Sequence, residues 1–359
     1  MRVVLIGVGQ AGGKIAQAIT QFDRQTGFGA VLDAVAVNTA SADLQSIEIE
    51  GTLVGRDRVR GEGVGGDNEL GAEVMAADVG EVLGLLDGRI TAEAEAIFVV
   101  AGIGGGTGSG GAPVLTKEPK RIYDVPVYAL AALPGRDEGA MYQANAGRSL
   151  VTLRREADAT ILIDNDAWRE ADENVASGFA SINAAIAKRI GLLLAAGEVS
   201  EGDQIAESVV DASEVINTLR EGGLATVGYA DAMASDLAEE NVNAIFSAVR
   251  RAVLTGTSLP DASDAGAALV IAAGRPERLP RKGFERARSW VEEETGTLQV
   301  RGGDFPLQSE RIAVIVLLAG IDRSNRVQEF FDRARQAQEE VEEIDRKEVL
   351  LSEELEDLF

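Results

Sequence analysis

The residues of this chain best suited to chemistry are glycines that leave backbone N–H groups uncovered. In the stretch IFVVAGIGGGTGSGG, Ile97–Gly111, an apolar run from Ile97 to Ala101 feeds a cluster of glycines interrupted only by Ile103, Thr107 and Ser109. Such a run suits a strand buried on both faces, and the spacing beyond it predicts a helix over Ala112–Ile122. A strand that delivers glycines to the start of a helix can cradle phosphate. Glycine lets N–H groups approach an anion, and the helix dipole favours negative charge there. As a merely mobile loop, so many glycines would cost conformational entropy with nothing to offset it.

Two further glycine clusters lie upstream. Val3–Ile6 reads as a strand and leads into Gly7-Val8-Gly9-Gln10-Ala11-Gly12-Gly13-Lys14, after which Ile15, Ala18 and Ile19 recur at helical spacing. The literal G-x-G-x-x-G would suit a dinucleotide, yet the next strand, Leu32–Val37, ends in Asn38-Thr39 rather than in the acid that holds a ribose. The pattern G-x-x-x-x-G-K-[ST] also fails, with Val8 at its first glycine and Ile15 after Lys14. The other cluster, Arg60-Gly61-Glu62-Gly63-Val64-Gly65-Gly66-Asp67-Asn68, precedes a helical pattern carrying Leu70, Val74, Val79, Val82, Leu83 and Leu86. Three glycine clusters can wrap a di- or triphosphate, whereas an NAD site would use one and leave two unexplained.

Histidine and cysteine are both absent, which removes disulfides, thiolate nucleophiles, Cys/His zinc sites and imidazole acid–base chemistry. Catalysis must then use carboxylates, hydroxyls, amides, backbone N–H groups and a hard cation such as Mg²⁺. The net charge of −25 disfavours nucleic acid and anionic membranes. Lysine is scarce and acidic residues and alanine abundant, the composition of a salt-adapted, halophilic surface, so individual surface carboxylates say little about function. Met1 and Arg2 lead straight into a core strand, and the longest apolar run, Ile312–Ile321, is too short to span a bilayer as a helix. The chain is read as cytoplasmic, with no direct membrane insertion, reaching the envelope only through partners.

At 359 residues the chain has room for two domains. Strands at Val125–Leu133 and Ala159–Ile163 alternate with a helix over Ala140–Arg155, which points to a parallel sheet with helices on both faces. Ligands then sit at the carboxyl ends of the strands, where Gly9–Lys14, Asn38-Thr39, Gly63–Asn68, Gly104–Gly110, Pro134–Glu138 and Asp164–Asp166 emerge. A long helix over Asp172–Gly197 suits a strut between domains. On it Phe179 and Asn183 lie one turn apart, either facing one ligand together or forming a core aromatic beside a solvated amide. A helix-like segment over Gly202–Leu219 follows. Strands at Gly223–Tyr229, Ala267–Ala273, Gly296–Val300 and Ile312–Leu318, with helices at Val242–Leu254 and Pro280–Glu294, read as a second α/β domain. From Arg323 the chain is highly charged, with helical spacing at Val327, Phe330, Phe331 and Ala334. Its acidic and apolar terminus is either a solvated tail or a docking peptide for a protein partner.

GGGTGSG at Gly104-Gly105-Gly106-Thr107-Gly108-Ser109-Gly110 resembles the signature of the tubulin and FtsZ superfamily. Gly9-Gln10-Ala11-Gly12-Gly13-Lys14 is similar to its first phosphate loop in the tubulin form, and Gly63–Glu69, with Gly65, Gly66 and Asp67, to the third in the FtsZ form. Coverage reaches about Ile321, and the mixture of features with the acidic composition is most similar to CetZ, the archaeal cytoskeletal branch. The resemblance implies the tubulin/FtsZ fold: a parallel-sheet, Rossmann-like GTP-binding domain at 1–171, a central helix at 172–200, a C-terminal α/β activation domain at 201–322 and an acidic tail at 323–359. It implies GTP or GDP with Mg²⁺ as cofactors, and potassium is expected to help. Asn38 belongs to the nucleotide set, Glu138 matches the ribose-binding glutamate, and Asn165, Phe179 and Asn183 match the guanine-reading set, with Phe179 stacked on the base. Asp67 is the candidate Mg²⁺ ligand. Subunits would stack head to tail into filaments that control cell shape. Asp211 and Glu214, as D-x-x-E, would activate water for attack on the γ-phosphate of the adjacent subunit. Val209 stands where many relatives carry asparagine, which leaves open a GTP-binding structural or regulatory protein with little hydrolysis. Tyr142 stands where an FtsZ-like arginine would follow the ribose glutamate.

Overall fold

Apolar, β-branched runs without alternation form strands buried on both faces, and the computed structural model, which describes residues 1–168, 175–196, 210–262 and 264–356, joins them into one sheet. The first half runs β1 (Val3–Val8), α1 (Gly9–Thr26), β2 (Val31–Asn38), α2 (Ser41–Gln45), β3 (Glu50–Leu53), α3 (Arg56–Val59), α4 (Asn68–Ala77), α5 (Val79–Leu86), β4 (Ala96–Gly102), α6 (Gly106–Lys117), β5 (Val127–Leu133), α7 (Ala140–Glu156) and β6 (Ala159–Asp164). The second runs α8 (Val175–Ala195), α9 (Ala212–Leu219), β7 (Leu224–Met233), α10 (Ala238–Leu254), β8 (Ala267–Gly274), α11 (Arg281–Thr295), β9 (Val300–Pro306), β10 (Arg311–Ile321) and α12 (Asn325–Glu356).

Strand order is β3-β2-β1-β4-β5-β6-β7-β10-β8-β9. Strands β1 to β6 pair in parallel, and β10 runs antiparallel to both β7 and β8. The two halves meet where β6 pairs with β7 through Thr160↔Leu224 and Ile161↔Ala225 alone, a far shorter register than the strands on either side share. One face is covered by a core that includes Leu86, Leu115, Leu150, Ile245, Val291 and Phe330. The other is covered by α1, α8 and α9 through Ile15, Ile19, Ile186, Ile190 and Val215. The strut helix α8, about 32 Å long at 1.5 Å per residue, buries Ile182, Ile186, Ile190 and Leu193. Its window Gly178–Ala195 has the length and apolar composition of a membrane span, but half of it is buried within the protein.

Several boundaries differ from the sequence reading. The glycine-rich segment is not a loop ahead of a helix at Ala112; α6 begins at Gly106 and contains the glycines. A Cβ on Gly71 would collide with the Gly106 carbonyl, and one on Gly110 with the Asn68 carbonyl and, at 2.5 Å, the Ala72 nitrogen, so α4 and α6 pack backbone on backbone. The single pattern from Leu70 to Leu86 breaks at Asp78, whose carboxylate accepts from the Gly55 N–H at 2.6 Å. The strand expected at Gly296–Val300 is displaced to Val300–Pro306. Gly296, at φ +72°, ends α11, and Gly302 leaves room inside β9 for the Val270 carbonyl and the Phe284 ring. The helical spacing noted after Arg323 lies in α12, which begins at Asn325. Arg326, Val327 and Phe330 are buried as α12 settles on α7, whose Gly147 admits the Phe330 carbonyl where any side chain would clash. Of the helix expected over Gly202–Leu219, Ala212–Leu219 is helical and residues 202–209, with Val209, lie outside the described residues.

These contacts set opposite outcomes for two glycine-to-alanine changes in helices. Gly80, in α5, has nothing within 4 Å of an added Cβ, so Gly80→Ala should stabilise the protein by about 0.5–1 kcal/mol through helix propensity. Gly110→Ala gains the same term but overpacks the α4–α6 contact, and should destabilise by about 2 kcal/mol net. Denaturant midpoints measured side by side check both signs.

Candidate functional site

The carboxyl ends of β1, β2, β4, β5 and β6 open on a cavity of about 430 Å³, the position at which an open parallel sheet offers a crevice. β1 passes into α1 at Gly9, whose φ of +71° is left-handed and whose added Cβ would lie 3.0 Å from the Gly108 nitrogen. Glycine is what lets these two turns lie back to back. Gly9, Gln10, Ala11 and Lys14 line one wall; Gly104, Gly105, Gly106, Thr107 and Gly108 line the next; Gly63, Val64, Gly65 and Gly66 lie across from them. Neither Val8 ahead of α1 nor Gly105 ahead of α6 offers a side-chain cap. Two helix N-termini with uncapped N–H groups at one cavity make an anion site.

Some sequence candidates do not line the cavity but support it. A Cβ on Gly12 would strike the Val100 carbonyl, so this glycine seats α1 on β4, and Gly13 faces Ala36 and Ile47. Ser109 is buried and donates to the Gly105 carbonyl, and Gly110 belongs to the α4–α6 contact. Asp67 is exposed and caps α4, accepting from the Leu70 N–H at 3.0 Å, unlike the uncapped starts of α1 and α6. Among the described residues no group of three or more acidic side chains is placed to hold a cation.

The lining loops are fixed by polar side chains, among which the sequence reading passed over Asp43 and Asn145. Asp43, in α2, accepts from Gln10 Nε2 at 2.9 Å and from Asn38 Nδ2 at 3.1 Å. Asn38 Oδ1 accepts in turn from the Thr39 and Ala40 N–H groups at 2.8 and 3.1 Å, and the Thr39 and Thr107 hydroxyls lie 2.7 Å apart. Asn145, buried in the middle of α7, donates to the Gly66 carbonyl at 2.8 Å and to the Gly104 carbonyl at 3.0 Å, tying two glycine loops together. The only sequence signal for it was the run of polar residues, Gln143, Asn145 and Ser149, on the inward face of that helix.

The remaining wall has different chemistry. Glu138 follows β5 and accepts from the Gly135 N–H at 2.7 Å, in a turn also held by Gln143 Nε2, which donates to the Gly135 carbonyl at 2.6 Å. Asn165 leaves β6, and Phe179 and Asn183 project from α8; with Tyr142 they all line the cavity. Phe179 is 47% exposed, which decides between its two sequence readings: the ring faces the cavity and is not a core aromatic.

Asp211 and Glu214 do not join this wall. Asp211 caps α9, accepting from the Glu214 N–H at 3.2 Å, and the Glu214 carboxylate lies 3.7 Å from Arg301 Nε. Within one chain the two acids and the cavity are separate.

Comparison with known proteins follows the same division. The GTPase domain of the Tubulin/FtsZ family matches residues 2–172, and the C-terminal domain of tubulin-like CetZ matches residues 172–336. Tubulin-like protein CetZ2 of Haloferax volcanii is 68% identical over 342 residues, covering 95% of this chain and 94% of that protein. CetZ1 of the same organism is 46% identical over 372 residues, covering 96% and 94%. The structure of H. volcanii CetZ2 as a GTPgS-bound protofilament superposes with a TM-score of 0.91 at 66% identity, over 95% of this chain and all of that one. The empty FtsZ dimer of M. jannaschii, at 22% identity and a TM-score of 0.70 over 89% of this chain and 88% of that one, shares the fold.

Asn145 provides the test of how the loops are held. Asn145→Ala leaves two loop carbonyls without their donor and should lower the unfolding free energy by about 2 kcal/mol. Hydrogen exchange should quicken at Gly65–Asp67 and Gly104–Gly106 ahead of the sheet, which a general loss of packing would not reproduce.

Proposed function

Because this chain belongs to the Tubulin/FtsZ family, in its tubulin-like CetZ branch, we propose that it binds guanine nucleotide, assembles head to tail and hydrolyses GTP to GDP and phosphate. The observation that carries the reading is one cavity lined on one side by two uncapped helix N-termini and on the other by an exposed Phe179 ring beside Asn183 and Asn165. In this assignment N–H groups of Gly9–Ala11 and Gly104–Gly108, with Lys14 and Thr107, receive the phosphates. Glu138 takes the ribose hydroxyls, the amides of Asn165 and Asn183 read the base edge, and Phe179 stacks on its face. Magnesium bound with the phosphates would screen their charge, with potassium supporting the same site; Asp67, at the end of the Gly63–Gly66 loop where it caps α4, is the candidate ligand.

The water-activating acids come from the next subunit in this reading, since Asp211 and Glu214 lie away from their own cavity. It divides the chain into 1–171, 172–200, 201–322 and 323–359 as nucleotide domain, strut, activation domain and C-terminal segment. It places the protein in the cytoplasm as a filament that controls cell shape, with the acidic C-terminal segment free to engage a protein partner. A second reading, nucleotide binding with little hydrolysis, draws on the Arg301 guanidinium beside Glu214, which would hold that carboxylate back from water.

Turnover per subunit, followed with light scattering in high potassium chloride and Mg²⁺, should climb above a critical protein concentration. Glu214→Ala should keep GTP binding while slowing turnover by roughly a hundredfold and prolonging the polymer. Loss of GTP binding in that variant would count against the assignment, and a flat, near-zero rate in the wild type despite binding would favour the second reading.

A further inference from the structure

Under the wall that carries Glu138 and Asn165 lies a charged side chain from the far end of the sequence. Arg326, in the first turn of α12, is 3% exposed. Its Nη2 donates to the Pro134 carbonyl at 2.6 Å and lies 3.5 Å from the Asp166 carboxylate. Nε faces Asp164 at 3.3 Å as an ion pair without hydrogen-bond geometry, and Nη1 donates to Glu329 at 3.1 Å. The guanidinium carbon stacks 4.4 Å from the centre of the Phe330 ring. The Arg326 backbone is itself pinned, its N–H donating to Asp261 at 2.8 Å.

Burying a guanidinium is a poor way to gain stability, because a well-packed apolar residue does as well without the desolvation cost. What a planar fork of donors supplies is fixed geometry toward several acceptors at once. Here the acceptors are the last residues of two adjacent strands: Pro134 closes β5 and begins the turn to Glu138, and Asp164 ends β6 immediately before Asn165. Burial pushes the Asp164 carboxyl above its ordinary range, and the Arg326 guanidinium pulls it back part of the way. Arg136 braces the same corner, donating its N–H to Asp166 at 2.9 Å and its Nε to Glu329 at 3.3 Å. Asn145 and Asp43 hold the glycine loops independently of this corner.

We propose that Arg326 is a positioning residue for the ribose-and-base wall of the cavity, through which the C-terminal helix is coupled to nucleotide binding. The inference rests on the nucleotide reading above. Nucleotide binding stiffens the corner that α12 is pinned to, and loosening α12 lowers nucleotide affinity by the same factor.

The test uses the full chain in high potassium chloride, with a fluorescent GDP analogue and hydrogen exchange. Arg326→Gln should weaken GDP binding by about tenfold, the scale of one buried charge-assisted hydrogen bond, and Arg326→Lys by less. Exchange in Arg326→Gln should rise at Gly135–Glu138 and Asn165–Trp168 and stay unchanged at Gly104–Ser109. Unchanged GDP affinity, or exchange that rises everywhere alike, overturns the proposal. Should Arg326→Gln not fold, the wild type decides: GDP should slow exchange at the Arg326–Phe330 amides, and no change there overturns it. Absence of GDP binding in the wild type removes the nucleotide reading first, and this inference with it.

Discussion

At four glycines around the cavity of this protein, backbone meets backbone with no side chain between. Gly12 seats α1 against the Val100 carbonyl, Gly108 admits the Gly102 carbonyl, and Gly71 and Gly110 bring α4 and α6 together. Each contact brings two backbone segments closer by about the thickness of a methyl group. The accumulated effect is that two helix N-termini reach one cavity with their N–H groups uncovered. A cradle assembled from side chains would have softer walls, because each would bring its own rotamers.

The electrostatics of the cavity run against those of the whole molecule. The chain carries −25, and the cavity lining contains Asp43, Glu62 and Glu138 against Lys14. Fixed local dipoles nevertheless favour an anion there. Asp43 and Glu138 already accept hydrogen bonds from Gln10, Asn38 and Gly135, which offsets part of their charge, while the starts of α1 and α6 each present roughly half a positive charge. At molar salt the Debye length falls to about 3 Å, so the distant surface carboxylates are screened and the donors in contact decide.

The alternation of strand and helix was legible in the sequence because fully buried strands leave unbroken apolar runs, and the glycine clusters announced an anion site by number alone. Helix starts were less legible: glycine lowers helix propensity, so Gly106–Gly111 reads as loop until α4 is seen to require their bareness. Gly302 hid β9 for a related reason. Asp43, Asn145 and Arg326 were not legible, since a buried polar residue differs from a surface one only in its tertiary neighbours. Phe179 was legible as a candidate and ambiguous in role, and exposure resolved it. The helical spacing of Val327, Phe330 and Ala334 was visible, yet that it marks a buried face and not a tail depends on Gly147 far away in sequence.

The seam between β6 and β7 has a mechanical consequence. Every other neighbouring pair of strands shares a longer register, while the two halves share the pairs of Thr160 and Ile161, supplemented by Ser258, whose carbonyl accepts from the Asp164 N–H and whose N–H donates to the Val227 carbonyl. A beam notched at one point concentrates strain at the notch. Backbone pairing resists shear least along that line, so the apolar clusters that cross it on both faces of the sheet, with α8 packed on one of them, carry what the strands do not.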